Sequence, residues 1–242
     1  MRIKFYLMTV ALCFMLQSLT AQYSMGVTGL LNIPTADMQK DGTFMVGGNF
    51  MPKDMTPGDW DYHTGNYFVN MTFLPFFEVA YRCTLFHGDY KGGNKWQQDR
   101  SVSLRLRPLK EGEWWPSVVV GSNDAFTTNQ LNMFHDSKGN RYFSSVFGVG
   151  TKHFAMGGHD LGVTFGGHVP FHKASLNKGV FGGVAYSPAF FRELSVMAEY
   201  DSNVINVGVA ARLFRHLSLH LFCYDFKTVS AGIRYEVKLL KR

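Results

Sequence analysis

The residues able to do chemistry are few, and their spacing decides what they can do. His216 and His220 lie four positions apart. On a strand they share a face but sit roughly 13 Å apart, too far to hold one metal ion. Glu199, Arg212 and His220 fall on consecutive segments with the same parity, so an ion network inside a barrel is the expectation for them. No Ser/His/acid set is fixed by spacing, and no His/Cys/Asp/Glu grouping has metal-ligand spacing. We therefore expect no cofactor, no metal and no catalytic residue. Cys83 and Cys223 fall on the apolar parity of distant segments and read as small apolar residues, not a bonded pair.

The elements that carry these residues are strands. In Val229–Leu239 every odd position is apolar, while the even positions carry Ser, Gly, Arg, Glu and Lys. A period of two over that length matches a tilted membrane strand. The same alternation recurs upstream. It predicts twelve strands at 43–51, 64–74, 76–86, 98–108, 116–122, 142–155, 159–169, 179–187, 193–201, 203–213, 216–225 and 228–239. The expected fold is all-β, a single antiparallel transmembrane barrel of the outer-membrane type; an even strand count fits that class.

Alternation alone does not say which face points inward. A twelve-strand barrel is too wide for the side chains of its own wall to fill, so the apolar set is assigned to lipid and the polar set to the lumen. The lumen-facing polar residues are then Glu78, Arg82, Arg105, Arg107, Glu193, Glu199, Arg212, His220, Arg234 and Glu236. Their mixed sign predicts a hydrated interior with ion pairs. The connections 52–63, 87–97, 123–141 and 170–178 are long and polar, whereas those at Pro75 and Gly157-Gly158 are tight, the habit of outer-membrane barrels. Phe73, Phe86, Trp114, Trp115, Phe190, Phe191, Phe214 and Tyr235 lie near strand ends and are expected to form interfacial girdles.

Residues 1–21 read as a secretory signal peptide. Arg2 and Lys4 precede the apolar run Phe5–Leu16, and Ala21 offers a small residue for cleavage. Removing them lowers the formal charge from +6 to +4, because they hold two basic residues and no acidic one. That modest charge, with no dense Lys/Arg run, argues against nucleic acid as a partner. Two units remain, a segment at 22–42 and the barrel at 43–242.

The segment 22–42 holds the most distinctive stretch. Pro34 and the glycines make Gly26–Met38 extended and turning, and Thr35 is placed to cap one helical turn over Ala36–Gln39. It is too apolar for a free linker, so we expect it to dock at the lower rim or lower lumen, near Trp114 and Trp115, partly closing the barrel. Within it, Gly26, Gly29, Leu30, Asn32, Pro34, Thr35 and Ala36, followed by Asp41-Gly42-Thr43, resemble the YjbH family. Those are outer-membrane β-barrel proteins associated with exopolysaccharide or capsule biosynthesis in Gram-negative cells. The resemblance implies a non-catalytic accessory of polysaccharide production or export in the cell outer membrane. Its partners would be outer-membrane lipid, exopolysaccharide and polysaccharide-export proteins. It implies no catalytic residues. Two rival functions stay open: a small-solute, porin-like channel and a barrel-embedded hydrolase.

Overall fold

A computed structural model describes residues 24–58, 60–90, 93–127 and 141–240. Alternation becomes twelve strands: β1 Thr43–Met51, β2 Thr64–Phe73, β3 Phe77–Tyr90, β4 Gly93–Leu109, β5 Ser117–Thr127 and β6 Ser145–Met156. They continue with β7 His159–Pro170, β8 Gly179–Ser187, β9 Leu194–Tyr200, β10 Ile205–Leu213, β11 Leu217–Tyr224 and β12 Thr228–Lys238. Every strand pairs antiparallel with its neighbours in sequence, and β12 returns to β1, with Gly47 opposite Arg234. The barrel is closed, so no strand edge is left unpaired. The proposed signal peptide lies outside the described residues. No described helix is long and apolar enough to cross a membrane.

The wall has two chemically distinct faces. Outward positions expose Val46, Val69, Val120, Val163, Val196, Val209, Leu219 and Ile233, and Phe165 keeps 68% of its surface accessible. Inward positions bury Glu78, Arg82, Arg105 and Arg234. One end of the barrel carries the short turns, the other the longer connections; we call them the turn end and the loop end. Exposed aromatics ring the turn end at Phe73, Trp114, Trp115, Phe190, Phe191, Phe214 and Tyr235. Phe86 departs from the expected girdle: it shares the inward parity of Arg82 and Thr84 and stacks on the buried Trp60, ring centroids 5.6 Å apart.

Two expected boundaries change. The connection at 87–97 is mostly strand, because β3 and β4 stay paired as far as Tyr90 opposite Gly93. A cross-strand His87–Trp96 contact, 3.8 Å between centroids, holds this extension, and Tyr62 accepts a hydrogen bond from the His87 N–H at 2.8 Å. β5 continues beyond 122 to Thr127, through a bulge where Ser122 pairs with Leu104 but Phe126 pairs with Val102. The bulge breaks the period of two, and the sequence signal of the strand stops with it.

The inner wall fits its glycines to its aromatics. Phe68 lies opposite Gly47, Phe147 opposite Gly121, Phe181 opposite Gly166, and Phe222 opposite Gly208. A Cβ built on Gly121 would meet the Phe147 ring at 2.5 Å. The rings of Phe68, Phe147 and Phe181 therefore lie across their cross-strand glycines, while at Gly208 the close neighbour is the Phe222 Cβ. These aromatics contribute to an apolar core inside the barrel.

Candidate functional site: a lumen filled by the chain itself

The lumen is occupied by the segment that precedes β1. Ser24–Leu31 and Ile33–Ala36 are all buried, and Val27, Leu31, Ile33 and Ala36 have no accessible surface. The segment folds back on itself as a small hairpin: the Leu30 N–H donates to Ile33 O at 2.9 Å, Ser24 N–H to Leu31 O at 3.2 Å, and Gly29 bridges Pro34. Leu30, Leu31, Ile33 and Ala36 pack with Val119, Phe147, Val149, Phe181, Met197, Ala210 and Phe222 of the wall and with Met55 from the loop end. Met25 and Val27 pack with Met51, Ala80 and Phe143. The expectation of a hydrated interior is thus corrected. The wall of a twelve-strand barrel cannot fill its own bore, and here a folded peptide fills it instead.

Polar wall residues hold this plug by its backbone. Glu78 accepts from the Thr28 N–H at 2.8 Å, and Glu199 accepts from the Leu31 N–H at 2.9 Å and the Asn32 N–H at 2.6 Å. Arg105 pairs with Glu78 at 2.6 Å and donates to the carbonyls of Thr35 and Asp37. The Ala36 N–H donates to Thr151 Oγ1, and Ser117 Oγ donates to Ala36 O. Near Ser24 the amides of Asn49 and Asn66 donate to its carbonyl, while Asn70 donates to Gly26 O at 2.8 Å. Asn32 Nδ2 reaches Asp201 at 2.7 Å. A hairpin this short cannot pair all its own peptide groups, and unpaired ones would be costly in a dry interior. The wall carboxylates, amides and guanidinium meet that need.

The polar residues assigned to the lumen therefore sort into groups. Glu78, Arg105 and Glu199 grip the plug. Arg82 packs against it, its Nη1 at 2.7 Å from Met25 Sδ and its guanidinium 4.5 Å over the Phe143 ring. Arg212 and Arg234 lie 3.1 and 3.5 Å from Glu236 at the turn end. Hence Glu199, Arg212 and His220 do not form one network: Glu199 serves the plug, Arg212 serves Glu236, and His220 lies over Gly232. Arg107, half-buried, donates to the Pro75 carbonyl in the β2–β3 turn. Glu193 is a correction, since it precedes β9 in a turn and is exposed.

All seven family-motif residues, Gly26, Gly29, Leu30, Asn32, Pro34, Thr35 and Ala36, lie in the plug. Gly26 shows why that position needs glycine: its φ is +83°, and an added Cβ would meet Phe68 at 2.8 Å. The expected helical turn after Thr35 does not form. Thr35 Oγ1 instead accepts from the Asp37 N–H at 3.3 Å, and residues 37–40 carry no helix on the way to the turn end. Trp114 and Trp115 do not cover the segment; they are 84% and 50% exposed. The motif lies in the bore, the lumenal one of the two expected positions, and not at the rim beside Trp114 and Trp115.

The plug leaves the bore beside a small charged cluster. His153 Nδ1 lies 2.8 Å from Glu111, Lys152 Nζ 2.7 Å from the same carboxylate, and His153 Nε2 3.8 Å from Asp37. Burial alone would push the Glu111 carboxyl up, but the hydrogen bonds from Lys152 and His153 hold it below its usual range. Sequence reasoning missed this cluster, and also Asn49, Asn66, Asn70, Asp201 and Asn206. Inward parity would have found the three asparagines of β1 and β2, which occupy the polar positions of their strands.

Cys83 and Cys223 are both free thiols. Ser145 and His168 approach to 3.3 Å inside the wall, with Phe147 and Phe181 against the imidazole and, among the described residues, no carboxylate bonded to it. No group of three or more His, Cys, Asp or Glu able to hold a metal occurs among the described residues.

A comparison with curated proteins finds no match to the chain. The model of the YjbH family, described as exopolysaccharide biosynthesis protein YbjH, matches residues 21–239, which spans the plug and the whole barrel. The chain belongs to the YjbH family of exopolysaccharide biosynthesis proteins.

Proposed function

We propose that the protein is a non-catalytic outer-membrane barrel that assists exopolysaccharide production or export as a binding surface, not as a conduit. Its partners would be lipid around the wall, and glycan or polysaccharide-export proteins at the ends. The observation that carries this reading is the filled bore. A porin-like channel needs an open path, and here the path is occupied by a segment bonded to the wall from β1 to β9.

Membrane residence is supported by the outer face. On β3 the stretch from Phe77, beside the turn-end aromatics, to His87, beside Trp96 at the loop end, covers roughly 23 Å at the usual strand tilt, close to the apolar band of outer-membrane barrels. The hydrolase reading has weak support, because among the described residues the Ser145–His168 pair has no acid bonded to it, and Phe147 and Phe181 lie against the imidazole.

Planar-bilayer recording of the purified barrel tests the conduit question. The intact chain is expected to show no steady conductance, and a chain lacking residues 26–38 to conduct if it folds. Steady conductance by the intact chain would restore the channel reading. The accessory role is tested by deleting the gene and measuring secreted polysaccharide, which should fall and recover with the wild-type copy. Recovery of the protein from the soluble fraction without detergent would overturn membrane residence.

A further inference from the structure

The outer wall is apolar with one departure, in the half nearer the loop end. Pairing with β3 puts Trp96, Gln98, Arg100 and Val102 of β4 on the outward face. Between the turn end and the His87–Trp96 pair, Arg100 is the one acidic or strongly basic side chain at the outward positions of β2, β3, β4 and β5, among the described residues. On the other strands the outward counterpart is Lys152, which lies at the turn end 2.7 Å from Glu111. Acidic residues near Arg100 in sequence or space are otherwise placed. Asp99 faces the lumen and is buried. Asp61, next to the Tyr62 that meets Trp96, is paired with Lys53 at 2.8 Å. Asp89 shares the outward parity, but it pairs with Asn94, six positions farther along β4 and roughly 20 Å away. A cation facing hydrocarbon is costly, most at mid-wall and least at the interface, so Arg100 needs a reason to stand there.

Polar and aromatic groups gather around this cation. The Arg100 guanidinium donates from Nε and Nη2 to Gln98 Oε1 at 3.3 and 3.2 Å. Gln98 is nearer the loop end, so the guanidinium leans that way. Arg100 lies directly opposite Cys83, and Cys83 opposite Tyr67. Cys83 has outward parity yet is 1% exposed, its thiol 3.5 Å from the Tyr81 hydroxyl. Tyr67 and Tyr81 are themselves exposed, so two phenols share the patch with the guanidinium and the amide. Four positions from Arg100 toward the loop end, roughly 13 Å along the strand, stands Trp96. Its ring is 55% exposed and is backed by His87 at 3.8 Å and Tyr62 at 5.9 Å between centroids.

We propose that Arg100, Gln98 and Trp96 form a surface site for a phosphorylated glycolipid of the outer leaflet. The assignment rests on the membrane setting proposed above, in which the longer connections face outward. In that setting Arg100 stands six positions, roughly 15 Å at the usual strand tilt, above the Leu106–Phe77 pair. That level lies just beneath the outer headgroups, and a long side chain leaning toward the loop end carries its charge up to them. The anion found at that height is phosphate, whose oxygens suit the forked N–H donors of a guanidinium. The exposed indole farther up the same strand offers an apolar ring to the face of a sugar. A phospholipid would meet Arg100 but leave Trp96 unused. A free glycan would need no cation set below the rim. A lipid that carries phosphate and sugar together meets both.

The test uses the full-length barrel in detergent, titrated with a diglucosamine bisphosphate glycolipid and read by native mass spectrometry. The dephosphorylated glycolipid and phosphatidylglycerol are titrated in parallel. The wild-type chain should bind the phosphorylated glycolipid at least about tenfold more tightly than either control. Arg100→Gln should weaken that binding about tenfold or more, and Arg100→Lys less, because a lysine keeps the charge but loses the fork. Trp96→Leu should weaken glycolipid binding and leave phosphatidylglycerol binding unchanged. Should Arg100→Gln fail to fold, Gln98→Ala and Trp96→Leu must each weaken glycolipid binding in its place. No preference for the phosphorylated form overturns the site, and equal binding of phosphatidylglycerol overturns the choice of a glycolipid. A chain that fractionates with the outer membrane but binds as well after Arg100→Gln overturns the site alone. Recovery of the wild-type chain from the soluble fraction without detergent overturns the membrane reading and the site with it.

Discussion

The two faces of the same strands meet their surroundings in opposite ways. On β11, Leu219 and Leu221 point outward and are exposed, while Ser218, His220 and Phe222 beside them are buried against wall and core. In the proposed membrane setting lipid would make the same demand at every outward position, so an exchange of one apolar residue for another should matter little. The lumen makes a different demand at every level, since each wall group meets one plug atom or one cross-strand neighbour. The outer face is specified by class of residue, the inner face by individual residue and geometry.

The sharpest way to break this contrast is inside. Arg105→Ala strands the fully buried Glu78 carboxylate and removes the donors to Thr35 and Asp37. It should cost about 3–5 kcal/mol in urea unfolding of the barrel in lipid vesicles. Loss below about 1 kcal/mol would mean the plug grip is dispensable. Outside, Leu219→Arg near mid-wall should cost about 2–4 kcal/mol in the same measurement, whereas Leu219→Ile should stay within about 1.5 kcal/mol. A similar penalty for both would show that the outer face is specified by residue after all.

Gly121→Ala adds only a methyl, but it enters the space of the Phe147 ring. Overpacking of this kind costs about 1–3 kcal/mol. The double variant Gly121→Ala with Phe147→Leu should recover part of the loss in a double-mutant cycle. The smallest effect lies at the turn end. Glu111 is held below its usual range by Lys152 and His153, so its contribution is present at neutral pH and is lost as pH falls through the lowered folded value. Glu111→Gln should remove that part of the acid sensitivity, read as thermal transition against pH from about 6 to 3.

Much of the barrel was legible because its signal is local. The stretch Val229–Leu239 shows its period within eleven residues, and β12 runs where that period runs. β5 was legible only as far as Gly121-Ser122, because the bulge at Asn123–Ala125 discards alternation to turn Asn123 and Asp124 inward. Apolar residues without helical or strand periodicity marked Gly26–Met38 as needing cover, yet nothing in that stretch says what covers it.

What the sequence by itself determined is which residues alternate, which face is apolar and which segment is too apolar to be free. These follow from periods of a few residues and from composition, and they suffice for strand count, pairing order and the assignment of faces. Only the tertiary structure decided that the bore is full and that Glu78 and Glu199 grip a hairpin. The reason is separation along the chain: Leu31 meets Glu199 across 168 residues, and no local pattern encodes a partner at that distance. Closing the barrel fixes the angular position of every strand, and that closure brings the plug and its anchors into one interior.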